Sequence, residues 1–182
     1  MSILIPLANG VEEIEAVTLI DVLRRAKLEV VTVALGGSRE VEGAHGIGLK
    51  ADTCWEEIDL EDFRAIVLPG GGVGTQNLAE DERVLKALCD FDAEGKIVAA
   101  ICAAPTVLAE AGILEGRHAT CYPSCVGMLG GAYDPAAPVI ADGNIITSQG
   151  PGTALLFSLA LVHNLADEET ARQVAAGMLT HF

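Results

Sequence analysis

The 182-residue chain is poor in aromatic residues, in basic residues and in long apolar runs, and each shortage removes a class of function. One tryptophan, two tyrosines and four phenylalanines are too few to stack nucleic-acid bases. Lys and Arg number 11 against 26 Asp and Glu, a formal net charge of −15. No basic stripe exists to neutralise phosphates or to grip an anionic membrane, so nucleic-acid and membrane partners are not expected. The longest largely apolar run, Ala154 to Val162, is too short to span a bilayer. The start Met1-Ser-Ile-Leu-Ile-Pro6 lacks the basic residues of a signal peptide. The five cysteines are odd in number and widely spread, which points to reduced thiols in a cytoplasmic protein.

What is abundant is glycine, 20 residues, within a chain that is 51% hydrophobic and 20% charged. That balance suits a globular α/β protein with tight strand-to-helix turns, of a size for a single domain over 1–182. Strands are expected at Ser2 to Ala8, Glu29 to Leu35, Ala65 to Leu68 and Lys96 to Ile101, each short, apolar and closed by a turn. Between them, Val11 to Lys27 reads as a helix with an apolar stripe of Val11, Ile14, Val17, Leu19, Val22, Leu23 and Ala26. A polar hairpin is expected around Gly43 within 39–51, and a helix within Asp81 to Glu94. Further on, a helix is expected over Ala103 to Gly112 and a short strand over Ala119 to Tyr122. Asp142-Gly-Asn144 makes a hairpin turn between Val139-Ile-Ala and Ile145-Ile-Thr, and helices follow over Thr153–Leu165 and Glu168–Leu179. Buried strands alternating with helices imply one doubly wound, mostly parallel sheet covered on both faces. Such sheets bind ligands beyond the carboxyl ends of their strands, which gathers four loops: Ala8 to Val11, Pro69 to Gly74, Ile101 to Ala104 and Ser148 to Gly152.

Cys102 is the residue in those loops with the most chemical promise. It falls where a buried strand turns into a helix with Pro105 in its first turn, so helix N–H groups and the dipole should favour thiolate over thiol. The alternative is a structural cysteine buried in the core. Glu15 lies on the apolar side of the first helix, with Val11, Thr18, Leu19 and Val22 three and four residues away. A carboxyl desolvated there has a raised pKa, and a neutral Glu15 near Cys102 could donate a hydrogen bond to a thiolate or shuttle a proton. The alternative is one more solvated acid. The run Pro69-Gly-Gly-Gly72 could present N–H groups, and that of Gly71 with that of Ala103 would suit a developing oxyanion. It has neither phosphate-loop nor dinucleotide spacing. His118, Cys121 and Cys125 match no common zinc pattern, and no metal or organic cofactor is expected. Cys54 and Cys89 have no charged activator and are expected in the core. His45, His163 and His181 show no local carboxylate partner.

Taken together, Glu12-Glu-Ile-Glu-Ala-Val17, Pro69-Gly-Gly-Gly72, Ala99-Ala-Ile-Cys-Ala-Ala-Pro105 and Thr147-Ser-Gln-Gly-Pro-Gly-Thr153 resemble the ThiJ/PfpI superfamily. The likeness is to its DJ-one subgroup of the parkinsonism-associated deglycase and bacterial relatives, and runs from Ile3 through the last long helix. It implies a flavodoxin-like fold (class I glutamine amidotransferase-like), a homodimer, and a strained cysteine at a nucleophile elbow beside a protonated glutamate. By position, Cys102 matches the family nucleophile, Glu15 its carboxyl partner, and Gly71 and Ala103 the backbone donors, with Gly70 alongside. The implied activity is cofactor-independent conversion of dicarbonyls such as methylglyoxal to hydroxy acids such as lactate, or repair of glycated substrates; thiol redox sensing or chaperone behaviour is the alternative. Two departures stand out. Relatives often carry a histidine where this chain has Tyr122, so Tyr122 is expected only to line the pocket. The protease-like branch has histidine directly after the cysteine, where this chain has Ala103, which argues against a peptidase dyad.

Overall fold

The computed structural model describes residues 1–180. Its elements run β1 (Ser2–Leu7), α1 (Glu13–Arg25), β2 (Val30–Ala34), β3 (Glu40–Glu42), β4 (Gly48–Lys50), β5 (Thr53–Cys54) and β6 (Phe63–Leu68). They continue α2 (Gly72–Ala79), α3 (Glu82–Ala93), β7 (Ile97–Ile101), α4 (Pro105–Glu110), α5 (Val126–Leu129), β8 (Val139–Asp142), β9 (Ile145–Ser148), α6 (Ala154–Leu165) and α7 (Glu168–Gly177). The strands rich in Val, Ile and Leu assemble in the order β5-β2-β1-β6-β7-β9-β8, parallel except for β8, which returns antiparallel along β9. Register follows apolar pairing, with Ile3 opposite Val30, Ile66 opposite Val98 and Ala99 opposite Ile146.

Alternation along each strand sends side chains to two separate cores. Ile3, Ile5 and Val67 pack with Leu19, Leu23, Phe157 and Leu161 beneath α1, α6 and α7. Leu4, Ile66 and Leu68 pack with Leu88, Phe91 and Val107 beneath α2, α3 and α4. This is the doubly wound, flavodoxin-like arrangement expected from the alternating pattern. Strand order reverses at β1, and the four loops beyond the strand ends are stitched together there. The Glu12 N–H donates to Gly70 O at 2.9 Å, that of Gly74 to Gly10 O at 3.1 Å, and that of Cys102 to Ser148 O at 2.9 Å.

Several local expectations are corrected. The α2 helix was not anticipated, because Gly72-Val-Gly-Thr-Gln-Asn is glycine-rich and only weakly amphipathic. The strand expected at Ala119 to Tyr122 shrinks to one bridge between Ala119 and Tyr133. The helix expected from Ala103 starts at Pro105, since 102–104 form a turn. On α1 the buried stripe is narrower than its apolar pattern: Ile14 and Val17 are 58% and 49% exposed. Cys89 is exposed and Cys54 half-buried, so neither is a core residue.

The hairpin of β3 and β4 is held to α1 by Glu13, a buried acid in the first helical turn. Its carboxylate accepts from the His45 N–H at 2.7 Å and faces His45 Nδ1 at 2.9 Å. Burial pushes the Glu13 carboxyl up, but the bonds from the His45 ring and backbone outweigh it and bring the pKa from 4.5 to about 2. A depressed carboxyl stabilises the fold above its unfolded value and loses that contribution as pH falls through the folded one. Glu13→Ala is therefore expected to cost about 1–3 kcal/mol at neutral pH. Urea unfolding should show that difference shrinking between pH 4.5 and about 2; equal stability at neutral pH would contradict the latch.

Candidate functional site

At the end of β7 the chain turns within one residue. Cys102 has φ +66°, a left-handed conformation that costs a non-glycine residue about 1–2 kcal/mol. Two backbone bonds hold it there: its N–H donates to Ser148 O at 2.9 Å, and its O accepts from the Tyr122 N–H at 2.8 Å. The turn leaves the half-buried thiol at the sheet edge, against the loop that follows β6.

Glu15 reaches the same point from α1 and is 0% exposed. Its Oε2 accepts from the Gly70 N–H at 2.8 Å and stands with the Cys102 side chain on either side of Gly70, and its Oε1 is buried with no partner. Gly70 sits between the two groups. A Cβ there would stand 2.6 Å from both Cys102 Cβ and Glu15 Oε2, so no larger residue fits. Gly71, at φ +98°, presses against the Gly10 carbonyl, where a Cβ would stand 2.3 Å away. The N–H groups of Gly71 and Ala103 act on the Cys102 sulfur and favour its charged form.

Burial raises the Glu15 pKa from 4.5 to about 7, against the opposing bonds from Gly70 and Cys102. Burial also pushes the Cys102 thiol up to about 12; the Glu15 charge and hydrogen bond add to this, and the Gly71 and Ala103 N–H groups oppose it. The expectation of a thiol simply acidified by a helix start is corrected here. The helix that follows is only six residues long and begins three residues on, and burial beside an acid outweighs it. Two such close groups titrate as a unit. They do not carry two charges together below the strongly alkaline range.

Tyr122 and Gly150 wall the sulfur. A Cβ on Gly150 would lie 3.2 Å from Tyr122 Cδ2 and 4.0 Å from Cys102 Sγ, and the Tyr122 side chain is partly open to solvent. The Gly150 loop is fixed by Thr153, whose Oγ1 accepts from the Gly150 N–H at 3.1 Å and meets Ser148 Oγ at 2.7 Å. Gly150 and Thr153 were read in the sequence only as part of the loop and motif after the strand, with no role of their own.

The remaining candidates lie apart from this centre. His118 faces Asp134 at 3.2 Å, and His45 has the carboxylate partner that was not expected, Glu13. His163 interacts with the charges of Asp167 and Glu168, also against expectation, and His181 lies outside the described residues. Glu12, Glu13 and His45 bring one ligand atom each within 4.8 Å of one another, but Glu13 is already engaged by the hairpin. Chemically, the centre offers a nucleophile, an acid/base in contact with it, and two N–H donors.

Comparison with known proteins gives the family and the fold. A family model described as the DJ-1/PfpI family matches residues 1–164. "Protein dj-1beta" of Drosophila melanogaster is 39% identical over 100% of this chain and 98% of its own length. Two Arabidopsis thaliana DJ-1 homologues, 40% and 41% identical over 97% of the chain, are matched over 41% and 45% of their lengths. "Glutathione-independent glyoxalase DJ-1" of Schizosaccharomyces pombe is 31% identical over 89% of this chain and 90% of its own. The solved structure "Toxoplasma gondii DJ-1, oxidized" superposes with TM-score 0.96 at 35% identity, covering 100% of this chain and 99% of that one.

Gly70→Ala should part the acid from the thiol. A protonated Glu15 donates to a thiolate and favours it, so parting the two is expected to lower Cys102 alkylation below about pH 7, where Glu15 keeps its proton, by about tenfold or more, the equivalent of one pKa unit. An unchanged rate would contradict the close fit at Gly70.

Proposed function

Because the chain belongs to the DJ-1/PfpI family, we propose that it is a cysteine-dependent enzyme acting on small reactive dicarbonyls, as a glutathione-independent glyoxalase or a deglycase of glycated substrates. The observation that carries this is the contact of a fully buried carboxyl, Glu15, with the half-buried thiol of Cys102. When the pair has lost one proton, the remaining charge belongs on sulfur. Two N–H groups favour charge on the sulfur and it is partly open to solvent, whereas Glu15 has one N–H on Oε2 and a bare Oε1. In that state Glu15 is the acid and Cys102 the thiolate.

The thiolate attacks the aldehyde carbon of methylglyoxal and forms a hemithioacetal. Negative charge passes to oxygen, where the N–H groups of Gly71 and Ala103 steady it until Glu15 gives up its proton. The Glu15 carboxylate then removes the proton from the former aldehyde carbon and returns it to the neighbouring carbon, while the hydroxyl proton of the hemithioacetal passes to the oxygen on that neighbouring carbon. This converts the hemithioacetal into a thioester, which water cleaves to release lactate and restore the thiol. No step calls for a metal or an organic cofactor. Tyr122, with Gly150, shapes the entrance where relatives often carry histidine.

We further propose a homodimer, with Ile14 and Val17 of α1 and Ile47 of the hairpin at its interface. These large apolar side chains are 58%, 49% and 56% exposed and lie where the hairpin meets the start of α1. Among the described residues no helix is long and apolar enough to cross a membrane. The acidic charge and unpaired cysteines suit a cytoplasmic enzyme.

A second reading has its own support. The relative from Toxoplasma gondii is described as oxidized, and the N–H groups on Cys102 would hold a sulfinate as well as a thiolate. In that case Cys102 would be a redox sensor without turnover.

Cys102→Ser is expected to abolish conversion of methylglyoxal to lactate, and Glu15→Gln to lower kcat about 10²–10⁴-fold with a smaller effect on KM. In the wild type, kcat/KM should rise with pH through about 7, as the pair loses its first proton. Full turnover in Cys102→Ser would overturn the mechanism. Absence of turnover in the wild type, with one rapidly oxidised thiol, would favour the sensor.

A further inference from the structure

Cys121 and Cys125 take no part in the chemistry above, yet they flank the residue that walls the Cys102 sulfur. Thr120 and Cys121 are buried at 0% and 1% exposure, with the Thr120 N–H bonded to Thr147 Oγ1 at 2.9 Å, so the chain entering the turn is fixed. From Tyr122 the chain reverses: the Cys125 N–H donates to Tyr122 O at 2.8 Å across the short turn Pro123–Cys125, which runs directly into α5. A residue just before a helical cap packs back over the first turn. Here that pairs Cys121 with Val126, the residue that follows Cys125, and Cys121, Cys125, Val126 and Leu129 belong to one apolar cluster. The thiols sense each other electrostatically. Burial raises the Cys121 pKa to about 11, and the Cys125 charge adds to it. Cys125 is the more open of the two.

We propose that Cys121 and Cys125 form a redox-active dithiol that a peroxide converts into an intrachain disulfide beneath Tyr122. The Cys125 thiolate attacks one peroxide oxygen and the O–O bond breaks. The departing hydroxide leaves as water with the thiol proton, and Cys125 becomes a sulfenic acid. The Cys121 sulfur then attacks that sulfur, the S–O bond breaks, and the second hydroxide leaves as water with the Cys121 proton. Two thiols and one peroxide thus give one disulfide and two waters. The bond closes the turn that carries Tyr122, whose backbone N–H holds Cys102 O and whose ring lies beside Gly150. The oxidation state of the dithiol therefore acts on the entrance to the Cys102 site without using Cys102.

The test uses a chain with Cys54→Ser, Cys89→Ser and Cys102→Ser, treated with hydrogen peroxide and then alkylated after unfolding. The expected result is simultaneous loss of both remaining thiols, a mass lower by two hydrogens, no intermolecular dimer, and full recovery with dithiothreitol. Adding Cys121→Ser should let Cys125 proceed to sulfinic acid instead. Peptide mapping of the oxidised wild type, which does not depend on the substituted chain folding, should find Cys121 linked to Cys125. Cys125 oxidised alone while Cys121 still alkylates, or only disulfides between chains, would overturn the proposal.

Discussion

The structure around this centre depends on one constraint: a carboxyl and a thiol are buried against each other where there is room for only one negative charge. Glu15 is fully enclosed, and Cys102 is pushed toward it by a left-handed backbone. The cost of that backbone, about 1–2 kcal/mol, is borne by hydrogen bonds from two directions. Ser148 accepts the Cys102 N–H at the end of β9, and the Tyr122 N–H reaches the Cys102 carbonyl. Neither bond exists unless the sheet order brings β9 beside β7 and returns the segment after α4 across the strand ends.

The loop after β6 is shaped by the same constraint. Gly70 supplies the N–H that orients Glu15 and leaves no atom between acid and thiol. Gly71 passes close beneath the Gly10 carbonyl with a positive φ and thereby aims its own N–H at the sulfur. A glycine-rich turn that would otherwise be mere flexibility becomes a set of directed donors. The same first turn of α1 contributes through Glu13, which latches the β3–β4 hairpin to the helix that carries Glu15. Acid, thiol and donors thus come from one helix and two loops whose relative positions are set by the parallel sheet.

Much of this was legible in the sequence because its determinants are local. Branched apolar runs located β1, β2, β6 and β7, and the Gly143 turn located the β8–β9 hairpin. Glu15 was legible because a carboxyl on the apolar side of an amphipathic helix stands out against Leu19 and Val22. What was not legible depends on contacts between distant segments. His45 meets Glu13 across 32 positions, and nothing near either residue announces the pair. Ile14 and Val17 share the apolar pattern of α1 but face outward, since periodicity does not tell a core from an assembly surface. The α2 helix hides behind its glycines, of which Gly74 is there because the chain packs closely against Gly10. What a helix start alone did not show is the burial and the neighbouring acid that oppose it at Cys102.

The most direct measurement is the pH dependence of the Cys102 thiolate, followed by absorbance and alkylation in a chain whose other four cysteines are replaced. If the shared charge resides on sulfur, thiolate should build in with an apparent pKa near 7, the point at which the pair gives up its first proton. Glu15→Gln should then abolish the second, strongly alkaline ionisation of the pair. Thiolate appearing only near pH 12 in the wild type would place the charge on Glu15 and contradict the proposed nucleophile.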